Sequence, residues 1–384
     1  MRWGEFGWVL FLAGLPWSPF LTRPIDLWHS QATWAHGWLI ILTVGAIARG
    51  IRSFSNHPLA AWVLWSGLSW LLNWYHVMRQ ERLYPYATLM PWLHVIAIGC
   101  FYLAACTWWT RQTLTTLIRW VAISGTVSVL YGYLQLMNLD QFFTNREAIL
   151  VNGINTYRDV IVGMVGNTSH YAAFLAFLIP CWIAQRQWWA RMTAIGAAGL
   201  ILLAHSTGAL VALAGSGLML AWAWRRWLGV TLLIAAIPLG VLLLYLPEWS
   251  QDHGRFAISQ HFWSIFQTHP ITGMGLGWVM EQSRIVTDPL LKSWRHLHNE
   301  FFQVALEQGL IGCSLVLWGL FHAFRRAWAV RQDRLAQTCA AILLAVTLNS
   351  LVNWPTHLWV LGSLGLMAYC GIYIVESDAT RHAC

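Results

Sequence analysis

Apolar stretches recur along the whole chain, and they constrain the fold more than any other feature of the sequence. A helix needs roughly 20 apolar residues to cross the hydrocarbon core of a bilayer. Only 10% of the 384 residues are charged and 58% are hydrophobic, which leaves too little polar surface for a soluble domain. The sequence therefore predicts an all-α, polytopic membrane protein that forms a single membrane domain over residues 1–384.

Charged residues divide these apolar stretches into about twelve predicted transmembrane helices. The predicted spans are 5–21, 32–48, 59–77, 86–110, 117–137, 167–184, 192–206, 208–224, 228–246, 298–321, 335–353 and 357–375. With the N-terminus inside, the inner loops hold 14 of the 23 Lys and Arg residues and the outer loops hold nine. Inner loops of membrane proteins carry such an excess, so we expect both termini on the cytoplasmic side.

Two predicted outer segments are longer than simple connections. One is a periplasmic loop over residues 247–297, between the ninth and tenth spans, and the other covers residues 138–166. Long loops in compact domains are usually functional. We therefore expect residues 247–297 to form a catalytic loop within the membrane domain.

Several classes of function are disfavoured by residue patterns. The seven cysteines form no Cys-x-x-Cys pair, so neither a zinc site nor a disulfide framework is indicated. The arginines occur singly or in pairs and form no basic stripe, which disfavours nucleic acid as a partner. The run Gly273-x-Gly275-x-Gly277 matches neither a dinucleotide motif nor a P-loop, and we interpret it as a tight turn.

His298 is the best candidate for a catalytic group. It lies just before the tenth span, where the positive end of the helix dipole and nearby arginines favour a neutral imidazole. Such an imidazole suits a general base, although a histidine that anchors a loop at the interface is the alternative. Cationic side chains in the same loop can hold an anionic group, and phosphate matches a guanidinium best. Those side chains are Arg255, Arg284, Lys292, Arg295 and His296. Glu307 falls on the other side of the same helix, and we expect it to have a structural role.

A longer pattern places this histidine in a known family. His298-Asn299 is followed, after nine residues, by Gly309-Leu310-Ile311-Gly312. Together with Gly254-Arg255 and the run His269–Gly277, this resembles the bacterial O-antigen ligase and polymerase superfamily. Weaker matches occur upstream, at Tyr131–Gln135 and Gly166–Ser169.

The resemblance implies a metal-independent GT-C-type glycosyltransferase of the bacterial inner membrane, with its active site on the periplasmic side and no cofactor. Members move a glycan from an undecaprenyl-diphosphate carrier to an acceptor, here expected to be a lipid A-core sugar. By motif, His298 would activate the acceptor hydroxyl and Arg255 would bind the diphosphate. Further substrate contacts are expected from Arg158, Arg284, Lys292, Arg295, His296 and Asn299. Membrane lipid is an expected partner.

Other functions stay open at this point. An O-antigen polymerase or a protein O-oligosaccharyltransferase shares the motif, and only the acceptor distinguishes these enzymes. A non-enzymatic transporter is a more distant alternative, because few ionisable residues lie deep in the predicted spans. In the outer loop, Trp249, Trp263, Trp278 and Trp294 offer flat rings on which a sugar can stack.

The chain departs from its relatives at two positions. Relatives often have Ser-Arg-Gly where this sequence has Ser206-Thr207-Gly208, so a second diphosphate arginine is missing from its expected place. Either Arg158, Arg284 or Arg295 replaces it, or the protein is less active or uses a different donor. Ser169 stands where relatives commonly have a second Asn.

Overall fold

A computed structural model of the chain describes most of the predicted spans. The residues it describes are 3–17, 27–49, 58–79, 85–137, 139–140, 161–163, 165–224, 255–285 and 296–383. At some helix ends, including 255–257 and 283–285, the description covers the backbone but not the side chains. The ninth predicted span and most of the 138–166 segment lie outside these residues.

The described residues form helices joined by turns, with no β-strand among them. The helices are α1 (Trp3–Gly14), α2 (Leu27–Arg49), α3 (Pro58–Arg79), α4 (Pro85–Trp108), α5 (Arg111–Leu136), α6 (Thr168–Gln185), α7 (Trp188–Leu203), α8 (Thr207–Trp224), α9 (Arg255–Phe266), α10 (Trp278–Ile285), α11 (Glu300–Ala329), α12 (Arg334–Asn349) and α13 (Trp359–Ala383). Short 3-10 turns occur at Leu15–Trp17 and Pro355–His357. The all-α class is therefore confirmed for the described chain.

Each predicted span except 228–246 overlaps a described helix. Five helical stretches in the described residues are long and apolar enough to cross a membrane. They are Leu89–Trp108, Arg111–Leu136, Thr207–Trp224, Glu300–Ala329 and Trp359–Arg381. The fold is thus that of a helical membrane protein, while the number of twelve spans stays a prediction.

Helix α6 lies at the centre of the bundle, where it packs against α5, α7, α8, α12 and α13. Nearly all of its side chains are buried. Gly125 and Gly132 of α5 leave room for the Trp182 and Tyr171 rings of α6. These rings donate hydrogen bonds to α5 carbonyls, and the Trp182 Nε1 to Ala122 O distance is 2.8 Å. Small residues allow such close approach between membrane helices.

Helices α4, α11 and α13 each run from one end of the bundle to the other. At one end lie His94, His170, His296, His298 and His357, and we call it the histidine end. At the opposite end lie Arg49, Arg111, Arg326 and Arg381, and we call it the arginine end. The described part of the 247–297 loop, with α9 and α10, packs against α11 at the histidine end.

Candidate active site

The backbone just before α11 holds His298 in a strained conformation. Asn299 is the N-cap of the helix, and its side-chain oxygen accepts a hydrogen bond from the Phe302 amide at 3.0 Å. This satisfies one of the free amides at the start of the helix. His298 has φ = 53°, in the left-handed region that non-glycine residues adopt at a cost of about 1–3 kcal/mol. The imidazole is therefore placed just outside the helix, as the sequence predicts.

Trp354 is the centre around which the histidines gather. Its indole is buried and stacks on His296, with ring centroids 4.2 Å apart. His170 and His298 meet the indole edge-on, at centroid distances of 4.8 and 6.1 Å. His357 lies 6.3 Å from it. Four histidines from three separate parts of the chain thus surround one indole.

An ion pair joins the start of α11 to the Pro355–His357 turn. His357 Nε2 lies 3.3 Å from Glu300 Oε1, and the same carboxylate accepts hydrogen bonds from the Thr356 hydroxyl and amide. The Glu300 amide donates to Ser350 O at 2.8 Å. On the other side, a ring nitrogen of His94 lies 2.7 Å from Thr356 O. These contacts fix the position of the turn, and with it Trp354.

The two histidines that flank Trp354 differ in electrostatic environment. Burial lowers the pKa of His296 well below its ordinary value, and the neighbouring His357 and His298 act in the same direction. Burial alone would also lower the pKa of His357, but the Glu300 carboxylate outweighs it and raises the pKa. His296 is therefore neutral near pH 7, whereas His357 is stabilised in its protonated form.

The glycine run fits into a break in α11. Gly273, Gly275, Gly277 and Gly309 all have positive φ, and Gly309 interrupts the helix. At this break, the Leu310 amide donates to Pro270 O and the Gly275 amide donates to Glu307 O. A Cβ on Gly309 would lie 2.0 Å from Ile271 O, so a side chain does not fit there. The run is a tight turn, and the turn replaces the helical hydrogen bonds that α11 lacks.

Glu307 anchors the start of α10. Its Oε1 accepts a hydrogen bond from the Val279 amide at 3.1 Å, and its backbone carbonyl accepts one from the Ser69 hydroxyl. The carboxylate therefore ties α10 to α11, which is the structural role that the sequence indicates.

The structure does not describe the side chains of the predicted Arg and Lys residues of the site. Arg158, Lys292 and Arg295 lie outside the described residues. Arg255 and Arg284 lie in α9 and α10, but their side chains are outside the description. His296, His298 and Asn299 are brought together at the start of α11, and their roles toward substrate stay predictions.

Helix α9, which begins at Arg255, packs beside residues 296–298, which include His296 and His298 and which we call the histidine segment. Ile258 and Phe262 of α9 share a small apolar cluster with Leu297 and Leu306. Ile258 is three residues from Arg255, and Leu297 is adjacent to His298. The backbone of Arg255 thus lies one helical turn from Ile258, which packs against the histidine segment.

Two buried amide side chains lie beside the residue that follows Thr207, the position at which the sequence resemblance predicts a second arginine. Thr207 begins α8 at the histidine end, and the next residue, Gly208, lies against the side chains of Asn349 and Asn353. Both asparagines are buried. Neither polar atom of the Asn349 side chain hydrogen-bonds to a described residue. Polar side chains therefore lie next to the position that lacks the expected arginine.

Sequence reasoning missed Trp354, His357, Glu300 and His170 as members of this site. His170 had a signal, because it lies one residue beyond the Gly166–Ser169 match, and Asn167 caps the helix on which it lies. Trp354 and His357 had none, since they follow a separate apolar span and belong to no recognised motif. The described His, Cys, Asp and Glu side chains form no group arranged to hold a metal. The prediction of a metal-independent, cofactor-free enzyme is not tested by this and stays a prediction.

A family model described as O-antigen ligase matches residues 192–317, from α7 through the break in α11. For this segment, the resemblance to the O-antigen ligase superfamily is confirmed. The match covers the glycine run, His298 and the Gly309–Gly312 motif, and it ends before Trp354. A comparison with curated proteins gave no match. Members of the family are glycosyltransferase-like membrane enzymes, so the histidine end is the candidate active site of such an enzyme.

Proposed function

We propose that the protein transfers an undecaprenyl-diphosphate-linked oligo- or polysaccharide to a lipid A-core acceptor sugar, on the periplasmic side of the bacterial inner membrane. The observation that carries this proposal is the position of His298. Its strained backbone presents the imidazole at the mouth of α11, beside Trp354 and within the segment that matches the O-antigen ligase family. Strain of this kind is typical of functional sites.

The proposed reaction is a displacement at the anomeric carbon of the donor. The acceptor hydroxyl oxygen attacks this carbon while His298 takes the hydroxyl proton as general base. A carbon–oxygen bond to the acceptor forms, and the carbon–oxygen bond to the diphosphate breaks. The electron pair leaves with undecaprenyl diphosphate, whose negative charge is balanced by the guanidinium of Arg255.

An apolar cavity beside the site supports a lipid-linked donor. Its volume is about 180 Å³, and its lining runs along α11 from Glu300 to Leu320. His94, Thr356 and the Glu300 carboxylate line its polar end, and the remainder is almost entirely apolar. Twenty helical residues rise about 30 Å, which is close to the thickness of a bilayer core. A polyprenyl chain placed there would have its diphosphate at the histidine end.

The proposal is tested with His298→Ala and Arg255→Ala in membranes supplied with the lipid-linked donor. We expect each variant to lose glycan transfer about 10²- to 10⁴-fold, the usual contribution of a general base or of a positioned cation. His261→Ala, on the exposed face of α9, and Arg191→Ala, on the exposed face of α7, are matched controls and should retain transfer. Full transfer by both His298→Ala and Arg255→Ala would contradict the proposal.

The acceptor is identified by mass spectrometry of surface glycolipids and glycoproteins. A strain that lacks the protein is compared with the same strain after the wild-type copy is restored. Restoration of glycan on lipid A-core supports the ligase. Longer repeat chains would identify a polymerase, and glycan on proteins would identify an oligosaccharyltransferase.

A further inference from the structure

A second polar site lies at the arginine end of the bundle, at the opposite end from the five histidines of the candidate active site. It is a cleft of about 500 Å³ formed where α1, α2, α4, α5, α11 and α13 meet. Its charged lining residues are Arg49, Arg111, Arg326, Arg381, Glu5 and Asp378. A ring of charged side chains between membrane helices is costly unless it is hydrated or serves a ligand. Nothing in the proposed transfer reaction uses this cleft.

Two of the arginines are committed to partners within the protein. Arg111 forms an ion pair with Asp333, and Arg326 forms one with Glu376. Arg326 also lies over the Tyr373 ring, with the guanidinium carbon 4.7 Å from the ring centroid. These contacts hold the two guanidinium groups against the walls of the cleft.

Arg49 and Arg381 are the arginines best placed for a ligand. Both are exposed. The Arg49 guanidinium carbon lies 4.8 Å from the centroid of the Trp108 ring, and this contact orients the group. The cleft also contains the N-terminus of α5, capped by Thr110. The positive end of a helix dipole and two guanidinium groups together favour a phosphate.

The carboxylates in the cleft indicate that the ligand has a positively charged group as well as a phosphate. Glu5 and Asp378 face the same cleft, and Glu5 accepts a hydrogen bond from Thr113 in the first turn of α5. Counted with Asp333 and Glu376, four carboxylates balance the four arginines. A purely anionic ligand would disturb this balance, whereas a ligand with both a phosphate and an ammonium group would preserve it.

The position of the cleft points to a lipid rather than to a soluble metabolite. Helices α4, α5, α11 and α13 are among those long enough to span a membrane, and the cleft lies at their ends. Trp108 and Trp109 line it, and tryptophan is typical of the membrane interface. Basic pockets between membrane helices on the cytoplasmic side are known lipid headgroup sites.

We propose that this cleft binds the headgroup of a phospholipid with a primary amine, such as phosphatidylethanolamine. Arg49 and Arg381 contact the phosphate, and Glu5 and Asp378 accept hydrogen bonds from the ammonium group. The bound lipid fills the space between the ends of α2, α4 and α13. The site is independent of the proposed glycan transfer.

Native mass spectrometry of the purified full-length protein tests this proposal. Phosphatidylethanolamine, phosphatidylglycerol and phosphatidylcholine with identical acyl chains are titrated separately. We expect the ethanolamine lipid to bind about tenfold more tightly than the other two, because choline has no N–H donor and glycerol has no positive charge. Equal binding of the three lipids, or tightest binding of phosphatidylglycerol, would overturn the proposal.

Paired variants locate the site. Arg49→Gln/Arg381→Gln should weaken binding of phosphatidylethanolamine about tenfold or more. The control Arg191→Gln/Arg325→Gln removes the same charge from exposed positions outside the cleft and should leave binding unchanged. An equal loss in both double variants would overturn the assignment of the site.

A variant that is expected to gain lipid binding controls for misfolding of the arginine double variant, because a misfolded protein would only lose binding. Asp378→Asn removes a carboxylate, so we expect this variant to bind phosphatidylglycerol more tightly than the wild type does. Unchanged preference would contradict the role given to Asp378. Glycerophosphoethanolamine, which lacks acyl chains, should bind far more weakly than the lipid. Equal affinity for this soluble compound would identify a soluble ligand instead.

Discussion

The two ends of the bundle both gather polar side chains, but they do so with different chemistry. At the histidine end, His296 and Glu300 are buried, and the half-buried His357 contacts both the His296 ring and the Glu300 carboxylate. At the arginine end, Arg49 and Arg381 are exposed and border an open cleft. A histidine changes its charge near neutral pH, whereas an arginine does not.

In the two functions we propose, this difference separates proton transfer from lipid binding. A group that takes a proton during reaction needs two accessible charge states, which the histidine end provides. A group that holds a lipid headgroup needs a constant charge, which the arginine end provides. This comparison fails if substitutions at the arginine end reduce glycan transfer as much as substitutions at the histidine end do.

The largest effect is expected from His298→Asn. Asparagine tolerates the left-handed backbone at this position, so the thermal stability of the variant should match or exceed that of the wild type. Without an imidazole, glycan transfer should fall about 10²- to 10⁴-fold. Transfer assays and thermal unfolding of the same purified sample measure both quantities.

For comparison, Arg381→Gln at the other end should retain transfer. Wild-type transfer by His298→Asn, or a loss of stability that parallels its loss of activity, would contradict the role of the imidazole.

Gly309→Ala should disrupt the fold at the histidine end. The positive φ costs about 1–3 kcal/mol for alanine, and the added Cβ would also collide with Ile271 O. We expect a lower free energy of unfolding by at least this amount, measured by denaturant titration in detergent. Gly217→Ala is the control, because no atom lies within 4 Å of its Cβ position. Equal stability of the two variants would show that the break in α11 is not required.

A smaller effect is expected from Trp263→Ala. This indole is 52% exposed and lies beside Phe302 in the first turn of α11, where it can stack on a sugar. Loss of such a contact should raise KM for the donor or acceptor about three- to tenfold with little change in kcat. Trp224→Ala, an exposed indole at the arginine end, serves as the control. The stacking role fails if both variants show the same KM as the wild type.

The smallest effect is expected from His357→Gln, as a change in the pH dependence of stability. The pKa of His357 is raised above its unfolded value by Glu300, so its stabilising pair is complete below pH 6.5 and is lost as pH rises through the folded pKa. Wild-type stability should therefore fall by about 0.5 kcal/mol over this range relative to the variant. Thermal unfolding between pH 5.5 and about 9 measures the difference. Parallel curves would contradict the ion pair.

The long helices were predictable because their hydropathy sets them apart from the polar loops. Every predicted span within the described residues overlaps a helix, although the ends differ by several residues and α9 and α10 were not predicted. The position of His298 was also predictable, since the motif from His298 to Gly312 is continuous in the sequence. The continuity of α11 was not predictable, because the sequence predicts one uninterrupted span over 298–321, whereas Gly309 interrupts the helix.

The contacts that complete the site were beyond sequence reasoning. The glycine run pairs with α11 through backbone atoms, and backbone pairing leaves no pattern in side chains. Trp354 and His357 reach the site because α12 and α13 return to the same end of the bundle. Their proximity to His298 depends on helix packing rather than on spacing along the chain.

The central claim is that His298 accepts a proton while a lipid diphosphate leaves. It is tested most directly with purified protein in liposomes that contain labelled undecaprenyl-diphosphate-linked glycan and an acceptor. Glycosylated acceptor and released undecaprenyl diphosphate are counted together by mass spectrometry. We predict equal amounts of the two products from the wild type and almost none from His298→Asn. Equal product formation by both proteins, or acceptor glycosylation without release of undecaprenyl diphosphate, would contradict the account.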